Sequence, residues 1–371
     1  MISDCFSFLT EQQMKFVHLS DVRLGLHNES GRRWGEERVI EVADDFKKAI
    51  RDAAKDDTDL VLISGLFAHR PVSTELDGAN RLFASFPGTA FVIIAGSKDL
   101  IKANSPVISY RWAQNVHYVL NGKAEKISFP AFNTAVYAQS VTADEHDPEA
   151  LIAISEGDAA GSSDRVRIAL LEEPDADKAE AFSGSGFSYA ALSGQPSYME
   201  LSKKAVYPGG FEPDGMVDTG AHGYCAGEIN ETTGKLESIR FVPAASASYV
   251  PLKVKVSVKN TPEQVSAMID NEIRKRGITN IYRIRITGEK KPEYSFEMPK
   301  LKEKYRIAEI RCEAEPQYDF EALFEEHQQD MIGYFISSLR KNHTELSDID
   351  RTAMYYGIDA LIKTSSGKER S

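Results

Sequence analysis

The first hundred residues contain three short apolar segments, and each of them ends in a polar turn. The segments lie at 16–19, 59–64 and 90–95. Apolar residues recur at helical spacing over 36–55, and 75–86 predicts a second helix before the third segment. A short apolar run bounded by polar residues is typical of a strand that is buried on both faces. The strand–helix–strand–helix–strand order therefore predicts a layered α/β domain.

Beyond residue 110 the pattern changes to shorter alternating apolar runs, which predict a second group of strands packed against the first. These runs lie at 116–120, 124–129, 134–138, 167–171, 189–192 and 223–229. Two stretches rich in Gly, Ser, Asp and Ala, 155–165 and 172–188, are expected to be loops. Residues 1–13 precede the regular pattern, and we interpret them as an N-terminal extension.

Composition narrows the class of protein. The 371 residues carry a net charge of −12, which argues against a wholly basic nucleic-acid coat. The cysteines Cys5, Cys225 and Cys312 are far apart and form neither a disulfide framework nor a paired zinc motif, so a cytoplasmic location is expected. No apolar run approaches about 18 residues, so no membrane-spanning helix is expected. The N-terminus also lacks the layout of a secretion signal.

The charge balance reverses locally between residues 251 and 311, where 15 Lys and Arg face 8 Asp and Glu. The pattern predicts a small basic βαββ module over 251–315. Clustered cations of this kind bind nucleic-acid phosphates independently of sequence. The alternative is that the cations at 274–276 complement a helix C-terminus and the others are solvated. The predicted DNA-binding residues are Lys253, Lys255, Arg274, Lys275, Arg276, Arg283 and Arg285.

The last segment, 316–371, is predicted to be helical. Asp319 is placed to cap its first helix, and a second helix is predicted over 348–363. Apolar residues of the first helix form one stripe, made of Phe320, Leu323, Phe324, Met331, Phe335 and Leu339. Such a face either packs on its own domain or docks on a partner helix, and the sequence leaves both alternatives open.

Three short polar motifs follow the predicted strands, at 20–23, 64–69 and 96–99. Ligands collect at the carboxyl ends of strands in α/β sheets, so these motifs should line one cleft. The segments MKFVHLSDVRLG, DLVLISGLFAHRPVS and FVIIAGSKD resemble the calcineurin-like metallophosphoesterases. More narrowly, they resemble the SbcD-type nucleases of DNA double-strand-break repair. The stretch AVYPGGFEPDGMVDTGAHGYCAGEI also resembles the segment that closes the nuclease domain of that family.

The resemblance covers residues 14–250 well and implies a four-layered α/β/β/α metallophosphoesterase-like sandwich there. The rest of the chain corresponds only in architecture. Residues 251–315 match the family's small α/β cap domain, which faces DNA, and 316–371 match its helical tail, which holds the coiled-coil base of an SbcC-type ATPase. The family uses two manganese ions, which clamp the phosphodiester and activate a water. Its ligands occur as Asp-x-His, Gly-Asp, Gly-Asn-His-Asp, a lone His, and Gly-His-x-His.

Residue by residue, this correspondence leaves one firm ligand, Asp21. Arg23 stands where the first His is expected, Leu66 follows the kept Gly65, and Ala68 or His69 occupies the usual place of a second Asp. Ser97 and Lys98 replace the ligand Asn and the catalytic His, Glu172 or Glu173 replaces the lone His, and Ser-Gly-Gln-Pro-Ser replaces Gly-His-x-His. The predicted cleft residues are therefore Asp21, Arg23, Leu66, His69, Ser97, Lys98, Asp99, Glu172, Gln195 and Ser197.

Positive side chains at ligand positions repel dications. We therefore expect no metal and no other cofactor, and we interpret the chain as an SbcD-like exonuclease homologue without activity, a pseudo-nuclease. It would bind DNA or serve as the partner of an SbcC-type ATPase, and a homodimer is also expected. One alternative is an active metal-dependent exonuclease with a site rebuilt from Asp21, Glu172 or Glu173, His69 and His18. Another is a pure protein-assembly module.

Two interpretations remain for the cationic replacements. Arg23 and Lys98 either hold a phosphate without cleaving it, or they pair with Asp21, Asp99 and Glu172 and fill the cleft.

Overall fold

The structure is a computed structural model that describes residues 12–25, 29–68, 73–143, 147–158, 164–341 and 348–368. The chain forms two units, one made of Met1–Val250 with Thr279–Ile281 and the other of Pro251–Ile278 with Tyr282–Ser371.

Strands and helices alternate in the first unit. The strands are β1 (Gln13–Ser20), β2 (Leu60–Ser64), β3 (Ala90–Ile94), β4 (Val116–Val119), β5 (Glu125–Phe129), β6 (Thr134–Ala138), β7 (Val166–Glu172), β8 (Tyr189–Ser193), β9 (Met199–Ser202), β10 (Ala205–Tyr207), β11 (Gly223–Asn230) and β12 (Leu236–Pro243). The helices are α1 (Gly35–Lys55), α2 (Ser73–Ala84), α3 (Pro148–Asp158) and α4 (Ala176–Gly184), with single turns at Pro106–Ile108 and Pro130–Phe132. Each strand that the sequence predicts before residue 230 is present.

These strands form two six-stranded sheets, ordered β12-β11-β1-β2-β3-β4 and β5-β6-β7-β8-β10-β9. Strands β1 to β4 are parallel in the first sheet, and β11 and β12 extend it antiparallel. In the second sheet β6, β7, β8 and β10 are parallel, with antiparallel β5 and β9 at its edges. Both sheets are therefore mixed, and the predicted α/β class is confirmed.

Three hydrophobic clusters account for the packing of these elements. Val61 and Ile63 share a cluster with Phe46 of α1 and Phe83 of α2. The alternate residues of β2 point the other way because side chains alternate along a strand. Residues of both sheets meet in the second cluster, which includes Phe16, Leu60, Leu62, Val92, Val136, Ile168 and Leu170. The outer face of the second sheet packs with α3 and α4 through Tyr137, Leu151, Leu171 and Phe182.

The structure differs from the sequence prediction at the two expected loops. Helix α3 extends to Asp158, and α4 occupies the middle of 172–188. The Asp175 carboxylate caps α4 by accepting the Asp177 N–H, and Ala179 and Phe182 are buried. Two buried side chains and one capping residue are sufficient to anchor this short helix, although its composition is typical of a loop.

A three-stranded sheet dominates the second unit, in the order β13 (Tyr249–Val256), β14 (Ile281–Lys290) and β15 (Ile307–Pro316). Helix α5 (Pro262–Arg276) separates the first two strands, and the short α6 (Pro299–Lys304) precedes the third. Thr261 and Gln264 form a reciprocal capping box that starts α5. The predicted strand–helix–strand–strand order is present.

The tail consists of three helices, α7 (Phe320–Glu326), α8 (Met331–Lys341) and α9 (Asp348–Lys368). The predicted cap is confirmed, because Asp319 accepts the N–H groups of Glu321 and Ala322. The expected single helix is wrong: the chain breaks after Glu326, and Asp330 starts α8 by accepting the Ile332 N–H. Among the helices that the structure describes, none has the length and apolar character needed to cross a bilayer.

Candidate functional site at the carboxyl ends of the first sheet

The loops that follow β1 and β2 run side by side through backbone hydrogen bonds. The Asp21 N–H donates to the Ser64 carbonyl at 3.0 Å, and the Arg23 N–H donates to the Leu66 carbonyl at 2.9 Å. Asp21 and Arg23 have φ angles of 48° and 61°, in the left-handed region that residues other than glycine seldom adopt. Strained positions persist only where the surroundings hold them, and they concentrate at functional sites.

Two aspartates bind these loops together. Asp21 Oδ1 accepts the Leu66 N–H at 2.9 Å. Asp99 Oδ1 accepts the Gly96 N–H at 2.7 Å, and its Oδ2 accepts the Phe67 N–H at 3.2 Å. Asp99 therefore joins the loop after β3 to the loop after β2. Both carboxylates are acceptors in internal hydrogen bonds.

The glutamate at the end of β7 comes from the second sheet. Both Glu172 oxygens accept the Ser97 N–H, at 3.0 and 3.1 Å. Gly96 allows this approach, since a Cβ atom there would lie 1.9 Å from Glu172 Oε2. Glu173 instead accepts the Asp175 N–H at 2.9 Å and closes its own loop. Of the two glutamates that the sequence offered, Glu172 is therefore the one whose side chain contacts the loop after β3.

The Arg23 guanidinium lies among carboxylates and is only 3% exposed. Its Nη2 is 3.5 Å from Asp21 Oδ2 and 3.4 Å from Asp214 Oδ2, and its Nη1 donates to the Glu212 carbonyl at 3.1 Å. Lys98 is 55% exposed and lies 3.6 Å from the same Asp214 carboxylate. Both cations therefore pair with acidic groups, and these contacts favour a filled cleft over a phosphate cradle.

The sequence prediction missed the segment that supplies these acidic partners. Glu212 is buried and pairs with Arg38 at 2.8 Å, while Arg38 also reaches Glu41 at 2.6 Å. Asp218 lies 3.3 Å from His222 Nε2. The acidic residues in the stretch after β10 could have indicated ion pairs with basic residues. Their partners on α1 and in the loop after β1 are too remote in sequence to be identified from it.

Burial changes the protonation of several groups in this region. Burial raises the pKa of Asp99 to about 7, and the Glu172 and Asp21 carboxylates act in the same direction against two backbone donors. Burial likewise raises the pKa of Glu212 to about 8, an effect that the Arg38 guanidinium only partly offsets. Burial lowers the pKa of His18 to about 3. The His18 ring is therefore neutral, and its nitrogens face the hydroxyls of Tyr189 and Ser64.

The other predicted cleft residues lie around this centre. Gln195 donates to the Pro174 carbonyl at 2.5 Å, close to the β7 end. The backbone of Ser197 packs against Gly209, where a Cβ atom would approach its carbonyl carbon to 2.7 Å. Gly209 also has a φ of 76°, so both the close contact and the backbone conformation require glycine here. His69 lies outside the described residues.

The donor set does not fit the two divalent ions that the resemblance implies. Such ions are bound by carboxylate oxygens and imidazole nitrogens whose lone pairs point at the metal. Here backbone N–H groups occupy oxygens of Asp21, Asp99 and Glu172, and a guanidinium stands beside Asp21. Within the described residues, no group of three or more His, Cys, Asp and Glu side chains could hold a metal ion.

The predicted DNA-binding residues fall into two places in the second unit. Alternation along β13 and β14 puts Lys253, Lys255, Arg283 and Arg285 on the face opposite the buried Val254 and Ile284. Arg283 pairs with Glu309 at 3.2 Å, and Arg285 pairs with Glu313 at 3.3 Å.

The remaining cations of that set lie at the end of α5. Arg274 pairs with Asp270 at 2.7 Å, and Lys275 and Arg276 pair with Glu272 at 3.0 and 3.4 Å. These pairs lie within one helix, so this group fits the helix-end interpretation better than a phosphate contact.

The predicted apolar stripe of the tail is mostly covered by the tail itself. Ile332, Ile336, Met354 and Ile358 form a buried cluster between α8 and α9. Five stripe residues pack against that cluster: Phe320, Leu323, Phe324, Phe335 and Leu339. Met331 is 69% exposed, so it does not belong to the packed stripe.

Comparison with known proteins gives weak similarities. No protein-family model matches the chain, and no curated protein matches it. A Staphylococcus aureus protein provisionally called a 5′-nucleotidase, solved with alpha-ketoglutarate, is 12% identical with a TM-score of 0.40. The match covers 70% of this chain and 58% of that one, so the chain spans little more than half of its length.

A hypothetical protein of Thermus thermophilus is 13% identical with a TM-score of 0.39. That match covers 62% of this chain and 97% of that one. Similarities this weak say nothing about what the chain binds or catalyses.

Proposed function

We propose that the protein is a catalytically inactive SbcD-type relative of the calcineurin-like metallophosphoesterases, acting in DNA binding or as the partner of an SbcC-type ATPase. One observation carries the proposal. The carboxylates that follow β1, β3 and β7 accept backbone N–H groups, and the Arg23 side chain pairs with Asp21. Hydrolysis in this family needs two adjacent dications, and here the Arg23 guanidinium and backbone N–H groups already contact the oxygens that would have to bind them.

The proposed layering follows from the three hydrophobic clusters. One cluster contains residues of α1, α2 and the first sheet, one contains residues of both sheets, and one contains the second sheet with α3 and α4. This sequence of contacts supports a four-layered α/β/β/α sandwich. The small basic sheet would then be the cap, and the helices after residue 316 would be the partner-binding tail. A cytosolic location fits the separated cysteines.

The DNA-binding part of the proposal rests on the open face of the small sheet. Lys253 and Lys255 are exposed there, beside Arg283 and Arg285, whose side chains are 42% and 56% exposed. Exposed ion pairs contribute about 0–1 kcal/mol, so Glu309 and Glu313 can be exchanged for phosphates at little cost. A row of cations on a strand face fits the sequence-independent backbone of a duplex.

Fluorescence anisotropy of a labelled DNA duplex over a range of salt concentrations tests this part. The wild-type chain should bind more weakly as salt rises. The Lys253→Ala/Lys255→Ala variant should reduce the slope of log affinity against log salt by about two, since each lost phosphate contact removes about one. The matched control is Lys102→Ala/Lys203→Ala, which removes two exposed lysines from the first unit. Equal slopes for the two variants would remove the DNA proposal and leave the assembly alternative.

A nuclease assay with manganese separates the inactive protein from the rebuilt-site alternative. We expect no strand degradation above background with linear duplex or single-stranded DNA. Manganese-dependent degradation that disappears in Asp21→Asn, but persists with the exposed-site control Asp44→Asn, would show that the chain is an active exonuclease.

A further inference from the structure

A pocket lined by aromatic side chains lies in the second unit, where β15 leads into the tail and passes α9. Its volume is about 390 Å³. The lining consists of Glu315, Gln317, Tyr318, Phe320, Thr352, Tyr355 and Tyr356. Four of these seven residues are aromatic and one is a carboxylate, whereas none is Lys or Arg. The proposed DNA contacts do not use this pocket, and of its lining residues only Tyr318 and Phe320 also pack against the buried tail cluster.

The aromatic rings hold one another in place. Tyr318 stacks with Phe320 at a centroid distance of 6.5 Å and lies 5.8 Å from Tyr355, which in turn meets Tyr356 edge-on at 5.4 Å. The Tyr318 hydroxyl donates to Asp359 at 3.0 Å, which fixes its ring. Tyr356 is 67% exposed, so the pocket opens to solvent. A prearranged aromatic wall loses little conformational entropy when a ligand binds.

The charge of the pocket favours a cation. Aromatic faces carry the negative side of the ring quadrupole and attract cations within about 6 Å. Within the described part of the chain, the Glu315 carboxylate has no hydrogen-bond or ion-pair partner. Burial, together with the charges of the Asp359 and Glu315 carboxylates, raises the pKa of the Tyr355 phenol. Among the seven lining residues, none carries a positive charge beside Glu315.

The same tail already binds one guanidinium in this way. Arg340 lies over the Phe324 ring, 5.4 Å from its centroid. Its two terminal nitrogens donate to the two Glu321 oxygens at 3.0 and 2.6 Å. An aromatic face and a carboxylate therefore hold an arginine between α7 and α8. The Tyr318 pocket presents the same two components, and no arginine is among the described residues that line it.

We propose that the Tyr318 pocket binds an arginine side chain presented by a partner polypeptide. A planar guanidinium stacks on tyrosine faces and donates two parallel hydrogen bonds to a carboxylate such as Glu315. An ammonium is more strongly hydrated and cannot stack, so lysine is the poorer ligand. The partner is thus a protein segment with an exposed arginine, and this contact is separate from any contact with DNA.

Binding of short capped peptides to the full chain tests the proposal. The probes are Gly-Gly-Arg-Gly-Gly and the same peptide with lysine or citrulline, followed by titration calorimetry and by chemical shifts of the tyrosine rings. Citrulline keeps the shape of arginine but lacks its charge. We expect binding to weaken at least about fivefold with lysine and to disappear with citrulline. Equal binding of the arginine and citrulline peptides would overturn the proposal.

Variants locate the binding. Glu315→Gln keeps the size of the side chain and should weaken binding of the arginine peptide about tenfold, and Tyr355→Leu should weaken it at least as much. The control is Tyr334→Ala, which removes a 63% exposed tyrosine of α8 that does not line the pocket. If Tyr355→Leu fails to fold, Glu315→Gln alone decides. Wild-type affinity in Glu315→Gln would contradict the assignment.

Discussion

The cleft of the first unit and the Tyr318 pocket of the second unit both contain carboxylates, but the chain treats them in opposite ways. Asp21, Asp99 and Glu172 all receive donors from the chain itself. Glu315 receives none among the described residues. A carboxylate whose donors are internal stabilises the loops around it, whereas a carboxylate beside aromatic faces without a donor is available to a ligand. Asp21 and Glu172 are buried and bonded internally, whereas Glu315 is exposed to solvent, and this difference in surroundings separates their roles.

The largest expected effect comes from removing the cation of the cleft. Arg23→Ala leaves the buried Asp21 without its counter-charge, which should lower the free energy of unfolding by about 3–5 kcal/mol. Denaturant unfolding measures this change, with Arg51→Ala on the exposed side of α1 as the matched control. Adding Asp21→Asn to Arg23→Ala should recover part of the loss, since the unpaired charge is then removed. If Arg23→Ala is as stable as Arg51→Ala, the cleft is not held by internal pairing.

A somewhat smaller effect is expected at the glycine beside Glu172. The Cβ atom of Gly96→Ala would lie 1.9 Å from Glu172 Oε2 and 2.8 Å from the Gly65 Cα atom. The resulting shift should cost about 2–3 kcal/mol of stability, measured by denaturant unfolding. Gly78→Ala is the control, because Gly78 lies in α2 with nothing within 4 Å of an added Cβ atom. That control should gain up to about 1 kcal/mol. Equal behaviour of the two variants would mean that Glu172 does not occupy the cleft.

The smallest effect concerns pH. Asp99 has a pKa near 7 in the fold, well above its value in an unfolded chain. The protonated form is therefore favoured by folding, so its stabilisation is complete below about pH 4 and is lost as the pH rises through 7. The free energy of unfolding of the wild-type chain should fall between about pH 5.5 and 8. In Asp99→Asn this fall should be smaller by about 1–3 kcal/mol. Asp44→Asn should leave that fall unchanged. An unaltered slope in Asp99→Asn would show that folding does not raise the pKa of this carboxyl group.

Much of the fold can be predicted from the sequence, because apolar runs and helical periodicity reflect packing and do not depend on catalytic residues. Strands β1 to β3 and the helices between them were predictable in this way. Helices α3 and α4 were not, because Gly, Ser and Ala weaken the apolar periodicity and only a few residues, such as Phe182, anchor them. The break between α7 and α8 was also hidden, since the apolar spacing continues across it and Asp330 alone restarts the helix.

The cleft shows a similar division. The strand-end rule places Asp21, Ser97 and Asp99 at one edge of the sheet, since loops after parallel strands meet there. It could not choose between Glu172 and Glu173, because that choice depends on a side-chain direction at the end of β7. The partners Glu212 and Asp214 were also out of reach, since about 190 residues separate them from Arg23. Pairing over that distance depends on the packing of two sheets.

Binding of manganese to the purified full chain tests the central claim most directly. Electron paramagnetic resonance reports the unbound ion, so a titration up to several manganese ions per chain counts the bound ions without an activity assay. We predict that the signal of the unbound ion stays undiminished, because backbone donors and Arg23 already take up the oxygens of the cleft. The account would be contradicted if two ions bind per wild-type chain, if Asp21→Asn does not bind them, and if the Asp44→Asn control still does.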